Sequence, residues 1–220
     1  MPQHRYPIAT AAQLAEASYS AATHRSVAPR VKRSLDEGDV QAHLLDNGVL
    51  LIPGSNSAMD YLKFNLRVLM IGGRRFSVRD GTTERGASGT IWHQGFLRHA
   101  KAIYDWIEAG GERPVYVIGH SLGAAATQIL SKSWAVPGIG FAAPRPRKAR
   151  GAIRNDGLCL CINRDDDIVC GLPGAFHHMG RVQLCRAARS RLLANHSMPH
   201  YRAVVSEAQQ AGQMPVHWPA

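Results

Sequence analysis

The sequence has no long apolar run, few cysteines, few acidic residues and no internal repeat. Its longest apolar runs, 49–53 and 134–143, are short, and the second is broken by Pro137 and two glycines. Both fall far below the ~18 residues needed to span a bilayer, which excludes a membrane-spanning chain. Asp and Glu number 16 against 26 Lys and Arg, a formal net charge of +10, while hydrophobic residues make up 45% of the 220 residues. That balance excludes a disordered acidic or basic tail. The length suits a single domain over 1–220, with residues 1–45 as a helical lead-in packed on it. No apolar h-region follows the basic N-terminus, because Gln13, Glu16 and Ser18 interrupt it. The expectation is a cytoplasmic chain, with a signal-independent export route as the alternative, and an amphipathic first helix over 9–22.

Four cysteines stand at Cys159, Cys161, Cys170 and Cys185. Without an export signal they are expected as reduced, buried thiols. Cys159 and Cys161 alternate along a strand-like run and would share one face. Paired C-x-x-C elements are absent, and the nearby imidazoles are His177 and His178. No metal and no organic cofactor is expected. The excess positive charge favours acidic partners. Its clusters, at 30–33, 74–75, 145–154 and 186–191, carry no motif of a nucleic-acid-binding fold. Nucleic acid is therefore not expected, and peripheral contact with an anionic membrane surface is the alternative to a solvated basic face.

What is present alternates. Residues 49–53 read as a short buried strand, 58–66 as a helix and 74–89 as a loop or hairpin. Residues 95–109 carry apolar side chains at the three-to-four spacing of a buried helix face and end at Gly110-Gly111. A buried strand over 114–118, a helix over 121–133, strands over 136–141, 158–162 and 182–184, and a helix over 198–210 complete the pattern. Strands alternating with amphipathic helices predict an α/β fold with a mostly parallel central sheet.

Between the 114–118 strand and the following helix lies Gly119-His120-Ser121-Leu122-Gly123, a G-x-S-x-G pentapeptide. A strand-to-helix turn this tight forces the serine into a strained backbone and lifts its Oγ from the sheet edge. The flanking glycines answer a lack of room for side chains. The helix N-terminus behind Ser121 offers the Leu122 N–H to an oxyanion. A serine nucleophile needs a base and the base an orienting acid, in the chain order Ser, Asp/Glu, His. Asp165, Asp166 and Asp167 follow a buried strand, and His196 precedes a helix that Ser197 caps and Pro199 opens. His200 would lie within that helix's first turn, less free to reach Ser121.

These segments resemble the class 3, fungal-type lipases of the α/β-hydrolase superfamily. The nucleophile elbow, Asp167-Ile-Val-x-x-Leu-Pro, His196-Ser-Met-x-x-Tyr, the 53–62 stretch Pro-Gly-Ser-Asn-Ser-Ala-Met-Asp-Tyr-Leu and His93-Gln-Gly-Phe carry the likeness. The resemblance spans roughly 49–201. It implies an α/β-hydrolase fold with Ser121 as nucleophile, Asp167 as orienting acid and His196 as base. It further implies Ser55 as a second oxyanion donor beside Leu122. It sets His178 aside as a non-catalytic His of the family's pattern. Met59, Tyr61, Leu62 and Phe64 would belong to a lid or substrate-binding segment, the alternative being a fixed surface helix. His120 is expected to pack beside the elbow and His93 to hydrogen-bond within the fold. The implied activity is hydrolysis of acylglycerol or phospholipid esters. Alternatives are a soluble short-chain esterase, a non-catalytic lipid binder and an exported phospholipase. Two departures from the pattern are Pro53 in place of the family's Arg and Tyr61 where Trp is common.

Overall fold

A computed structural model describes residues 4–38, 40–54, 82–186 and 196–219, together with the backbone of the strands Leu69–Ile71 and Arg74–Phe76. The core is a seven-stranded sheet. Its strands are β1 (Val31–Glu37), β2 (Val40–Leu45), β3 (Val49–Ile52), β4 (Tyr116–His120), β5 (Gly138–Phe141), β6 (Cys159–Arg164) and β7 (Arg181–Cys185). They lie side by side in the order of the sequence. Strands β3 to β7 run parallel, and β1 and β2 add an antiparallel hairpin beyond β3. Short ribbons pair Tyr6–Pro7 with His217–Trp218, Leu69–Ile71 with Arg74–Phe76, and Thr83–Arg85 with Ile91–His93. The mostly parallel α/β sheet expected from the sequence is thus present.

Helices α1 (Ile8–Ala17), α2 (Gln94–Ala109), α3 (Leu122–Trp134) and α4 (Met198–Gln210) cover the two faces. Successive strand residues point to opposite sides, so each parallel strand feeds two cores. Val49, Leu51, Tyr116 and Ile118 join α1 and α4 on one face, while Leu50, Ile52 and Val117 join α2 and α3 on the other. That double burial explains why β4 reads as an unbroken apolar run ending in glycine and histidine. Cys159 and Cys161 share the α2/α3 face, buried and unbridged, and Cys170 and Cys185 are buried too. Among the described residues no helix is long and apolar enough to cross a membrane.

Three expectations are corrected. Residues 1–45 are not a helical lead-in throughout, because Val31–Glu37 and Val40–Leu45 form β1 and β2. Val40, Ala42 and Leu44 recur at a period of two and bury on the α2/α3 side. The first helix stops at Ala17 rather than Ala22 and tightens into a 3-10 turn, Ser18–Ser20. There Ser18 Oγ donates to the Ala15 carbonyl, 2.7 Å away, a local bond that competes with helix continuation. The strand expected over 114–118 lies two residues later. Val115 N–H donates instead to the Gly48 carbonyl at 2.9 Å, and pairing with Ile52 and Phe141 carries the strand through Gly119 and His120. The ladder on both sides overrides the weak strand propensity of those two residues. The helix expected over 58–66, with Ser55, Met59, Tyr61, Leu62 and Phe64, lies outside the described residues.

The contact between α3 and β5 leaves no room for one added methyl. A Cβ on Gly138 would come within 2.3 Å of Ser131 Oγ and 3.1 Å of the Val117 carbonyl. Gly138→Ala is expected to destabilise the chain by about 1–3 kcal/mol. Thermal unfolding should register this as a fall in Tm of about 2–4 °C per kcal/mol.

Candidate active site

Strand β4 runs into α3 through a single residue, Ser121, held at φ 54 and ψ −118. A non-glycine residue there stores strain of about 1–3 kcal/mol, which the surroundings must enforce. They do so from both sides. Ser121 N–H donates to the Phe141 carbonyl at 2.9 Å, and the Ser121 carbonyl accepts from Ala124 N at 2.9 Å and Ala125 N at 3.1 Å. A Cβ on Gly119 would lie 2.4 Å from the Gly123 carbonyl oxygen, and one on Gly123 would lie 2.0 Å from the Ile52 carbonyl oxygen. The two glycines therefore let α3 sit directly on β3 and β4. Leu122 is the first residue of that 13-residue helix. First-turn N–H groups have no acceptor within their own helix, so this edge of Ser121 presents backbone donors and a positive helix end.

Three segments far apart in the chain meet at Ser121. His196, buried just before α4, has Nε2 at 2.7 Å from Ser121 Oγ and Nδ1 at 2.8 Å from Asp167 Oδ2. A carboxylate accepts, so Nδ1 carries the proton and Nε2 accepts from the serine hydroxyl. Asp167 sits beyond β6, where its Oδ1 accepts from Val169 N–H at 3.0 Å and caps the 3-10 turn Ile168–Gly171. Its Oδ2 also accepts from Tyr201 Oη–H at 2.7 Å. Burial pushes this carboxyl up, but the bonds from His196, Tyr201 and the Val169 N–H outweigh it and hold the group below the usual carboxylate range.

Of the three candidate acids, only Asp167 joins this chain. Asp166 is held in a bidentate pair by Arg164, with both contacts at 3.0 Å, and Asp165 is exposed. Of the candidate bases, His200 faces Ser197 Oγ at 2.9 Å, and His178 Nε2 lies 2.8 Å from the Ala143 carbonyl. His93 caps α2 by accepting from Phe96 N–H at 3.4 Å. Among the described residues no group of three His, Cys, Asp or Glu side chains could hold a metal ion. Ser55 and the lid candidates Met59, Tyr61, Leu62 and Phe64 fall outside the described residues. Gly54, directly before Ser55, is described. A Cβ there would lie 3.0 Å from Ser121 Cβ.

No family model matches the sequence, and no similar curated protein is found. Solved structures do match. The Rhizomucor miehei lipase in its propeptide complex has a TM-score of 0.53 at 17% identity, over 81% of this chain and 67% of that one. The nonglycosylated Lip2 lipase of Yarrowia lipolytica has a TM-score of 0.52 at 14% identity, over 84% of this chain and 82% of that one. A fungal lipase–inhibitor complex has 0.50 at 16%, over 83% of each chain. The fold is that of the fungal lipases. Within this lipase fold, the hydroxyl–imidazole–carboxylate chain lies at the carboxyl edge of the parallel strands, where open α/β sheets place their sites.

Two contributors were not legible as such in the sequence. Tyr201 is there the tyrosine of the His196-Ser-Met-x-x-Tyr segment, with no role of its own. Its place in the first turn of α4, five residues after His196, lets its hydroxyl reach Asp167. His120 is the other. Its ring packs beside His196, as expected, with centroids 5.0 Å apart. Its Nε2 also donates to the His196 carbonyl at 2.8 Å. Burial, with His196 beside it, pushes its pKa down to about 3, so the ring stays neutral.

That shift makes stability depend on pH. Between about 3 and the ordinary 6.5, the unfolded chain binds a proton at His120 that the native chain refuses. The residue's contribution is complete above 6.5 and is lost as pH falls toward 3. Urea unfolding at a series of pH values is expected to show a shallower loss for His120→Asn over this window. The slopes should differ by up to about 1.4 kcal/mol per pH unit.

Proposed function

We propose that the chain is a serine-dependent carboxylic ester hydrolase of the lipase or phospholipase type, acting through an acyl-enzyme. The unbroken chain from Ser121 Oγ through His196 to Asp167, with links of 2.7 and 2.8 Å on a lipase fold, carries this reading. Ser121 Oγ attacks the ester carbonyl carbon as His196 Nε2 takes the hydroxyl proton. Asp167 keeps the proton on Nδ1 and stabilises the imidazolium that forms. The Leu122 N–H, with Ser55 as a second donor, holds the oxyanion. His196 then gives its proton to the leaving alcohol, and the C–O ester bond breaks. Water repeats the sequence, restoring Ser121 and releasing the acid.

Lipid-type esters are the proposed substrates. Ile168, next to Asp167 in sequence, is 55% exposed, and Lys148, Arg150 and Arg154 are exposed on the segment that follows β5. An apolar side chain beside the acid, on a chain with a net charge of +10, suits a surface that meets anionic lipid. Met59, Tyr61, Leu62 and Phe64, which lie outside the described residues, are proposed as the substrate-binding segment of this reading.

Wild type is expected to hydrolyse p-nitrophenyl esters and to react with a fluorophosphonate. Ser121→Ala should lose about 10³-fold or more in turnover while keeping its fold. A preference for long acyl chains would favour a lipase, and one for acetate a soluble esterase. An inert but folded wild type would instead favour a lipid-binding protein. Raising the anionic fraction of phospholipid vesicles is expected to raise hydrolysis of their lipids, and activity that stays flat counts against contact with an anionic surface.

A further inference from the structure

One buried imidazole of the site takes no part in these proton transfers. His120 Nε2 faces the His196 carbonyl at 2.8 Å, and its Nδ1 faces Tyr19 Oη at 2.5 Å. A carbonyl only accepts, so Nε2 carries the ring proton, Nδ1 accepts, and the Tyr19 hydroxyl proton points at it. Tyr19 Oη in turn accepts from Gly54 N–H at 2.9 Å. The bonds run one way, from Gly54 N–H to Tyr19, from Tyr19 to His120, and from His120 to the backbone of His196. A proton on Nδ1 would break this order, and burial keeps the ring neutral. Tyr19 also meets the ring of His120 edge-on, with centroids 5.7 Å apart.

The ends of this chain matter more than its middle. One end holds the backbone directly before Ser55, at a glycine whose added Cβ would come 2.5 Å from Tyr19 Oη and 3.0 Å from Ser121 Cβ. The other end holds the main chain of His196, and a ring's reach is set by the backbone that carries it. Gly54 lies beyond the end of β3 and His196 before the start of α4, so neither belongs to those elements. We infer that the Tyr19–His120 pair is a positioning clamp that sets the Gly54 segment against the His196 loop, so that the oxyanion side and the base side of Ser121 stay aligned. The clamp rests on the hydrolase reading above. It touches neither substrate nor the transferred proton, and acts through Ser121 and His196.

The test is turnover per active site. Sites are counted by fluorophosphonate labelling of Ser121, and kcat and KM are read on a p-nitrophenyl ester that wild type hydrolyses. Tyr19→Phe removes one oxygen and both of its hydrogen bonds. It is expected to lower kcat per labelled site about tenfold, with KM within about twofold of wild type. His120→Gln can still offer an amide N–H to the His196 carbonyl and is expected to keep more of kcat than His120→Asn, whose shorter side chain cannot reach it. Thermal unfolding of each variant separates loss of fold from loss of alignment. A per-site kcat within about twofold of wild type in Tyr19→Phe and His120→Gln, whatever their Tm, overturns the clamp. A loss confined to KM overturns it too, since Tyr19 would then be contacting substrate. A folded wild type that neither labels nor turns over overturns the hydrolase reading itself, and the clamp with it.

Discussion

The strained backbone of Ser121 is the constraint from which the rest of the site follows. A serine at φ 54 is tolerable only where packing leaves no other path. Here the path is closed by α3 lying on the carbonyls of Ile52 and Pro53, and by the ladder bond from Ser121 N to Phe141. Any side chain at Gly119 or Gly123 would lift the helix off the sheet. The same closeness aims the first turn of α3 at the serine oxygen. Strain, small residues and backbone donors with no acceptor in their own helix are one geometric fact seen from three sides.

Parallel strands do the gathering. Because β3 to β7 run in one direction, their carboxyl ends lie along a single edge. Gly54 follows β3, Ser121 follows β4 and Asp167 follows β6, while His196 comes after β7 and before α4. Residues up to about 140 positions apart in sequence thus become neighbours, without any of these loops needing to be long-lived on its own. Buried polar groups collected this way must satisfy one another. Asp167 accepts from His196, Tyr201 and the Val169 N–H, and His120 uses both ring nitrogens. The unpaired alternatives would each cost about 1–3 kcal/mol.

Asp167 and His196 show what a lone sequence could settle. Three consecutive aspartates after β6 are equivalent to a reading by residue type and chain order, and only the family resemblance singled out Asp167. In the fold, Arg164 takes Asp166, Asp165 faces solvent, and Asp167 turns inward to cap the next turn. His196 could be ranked above His200 in advance because Ser197 and Pro199 mark where α4 begins, and a residue before a helix is freer than one within its first turn. The β1–β2 hairpin stayed hidden for a different reason. Residues of β1 are mostly half-buried or exposed and those of β2 alternate between buried and half-buried, so neither forms a continuous apolar run, and an edge hairpin is specified by the strand it joins.

By itself the sequence determined the alternation of strands and helices, the tight turn at Ser121 and the types of residue available to serve it. Those features are local. Periodicity, glycine placement and capping act within a few residues, so they can be read along the chain. Only the tertiary structure decided which carboxylate meets His196, that Tyr201 supports Asp167, and that Tyr19 and His120 tie Gly54 to the His196 backbone. Those are contacts between residues far apart in sequence. They exist because five parallel strands bring their ends to one edge, where burial leaves each polar group few partners within reach.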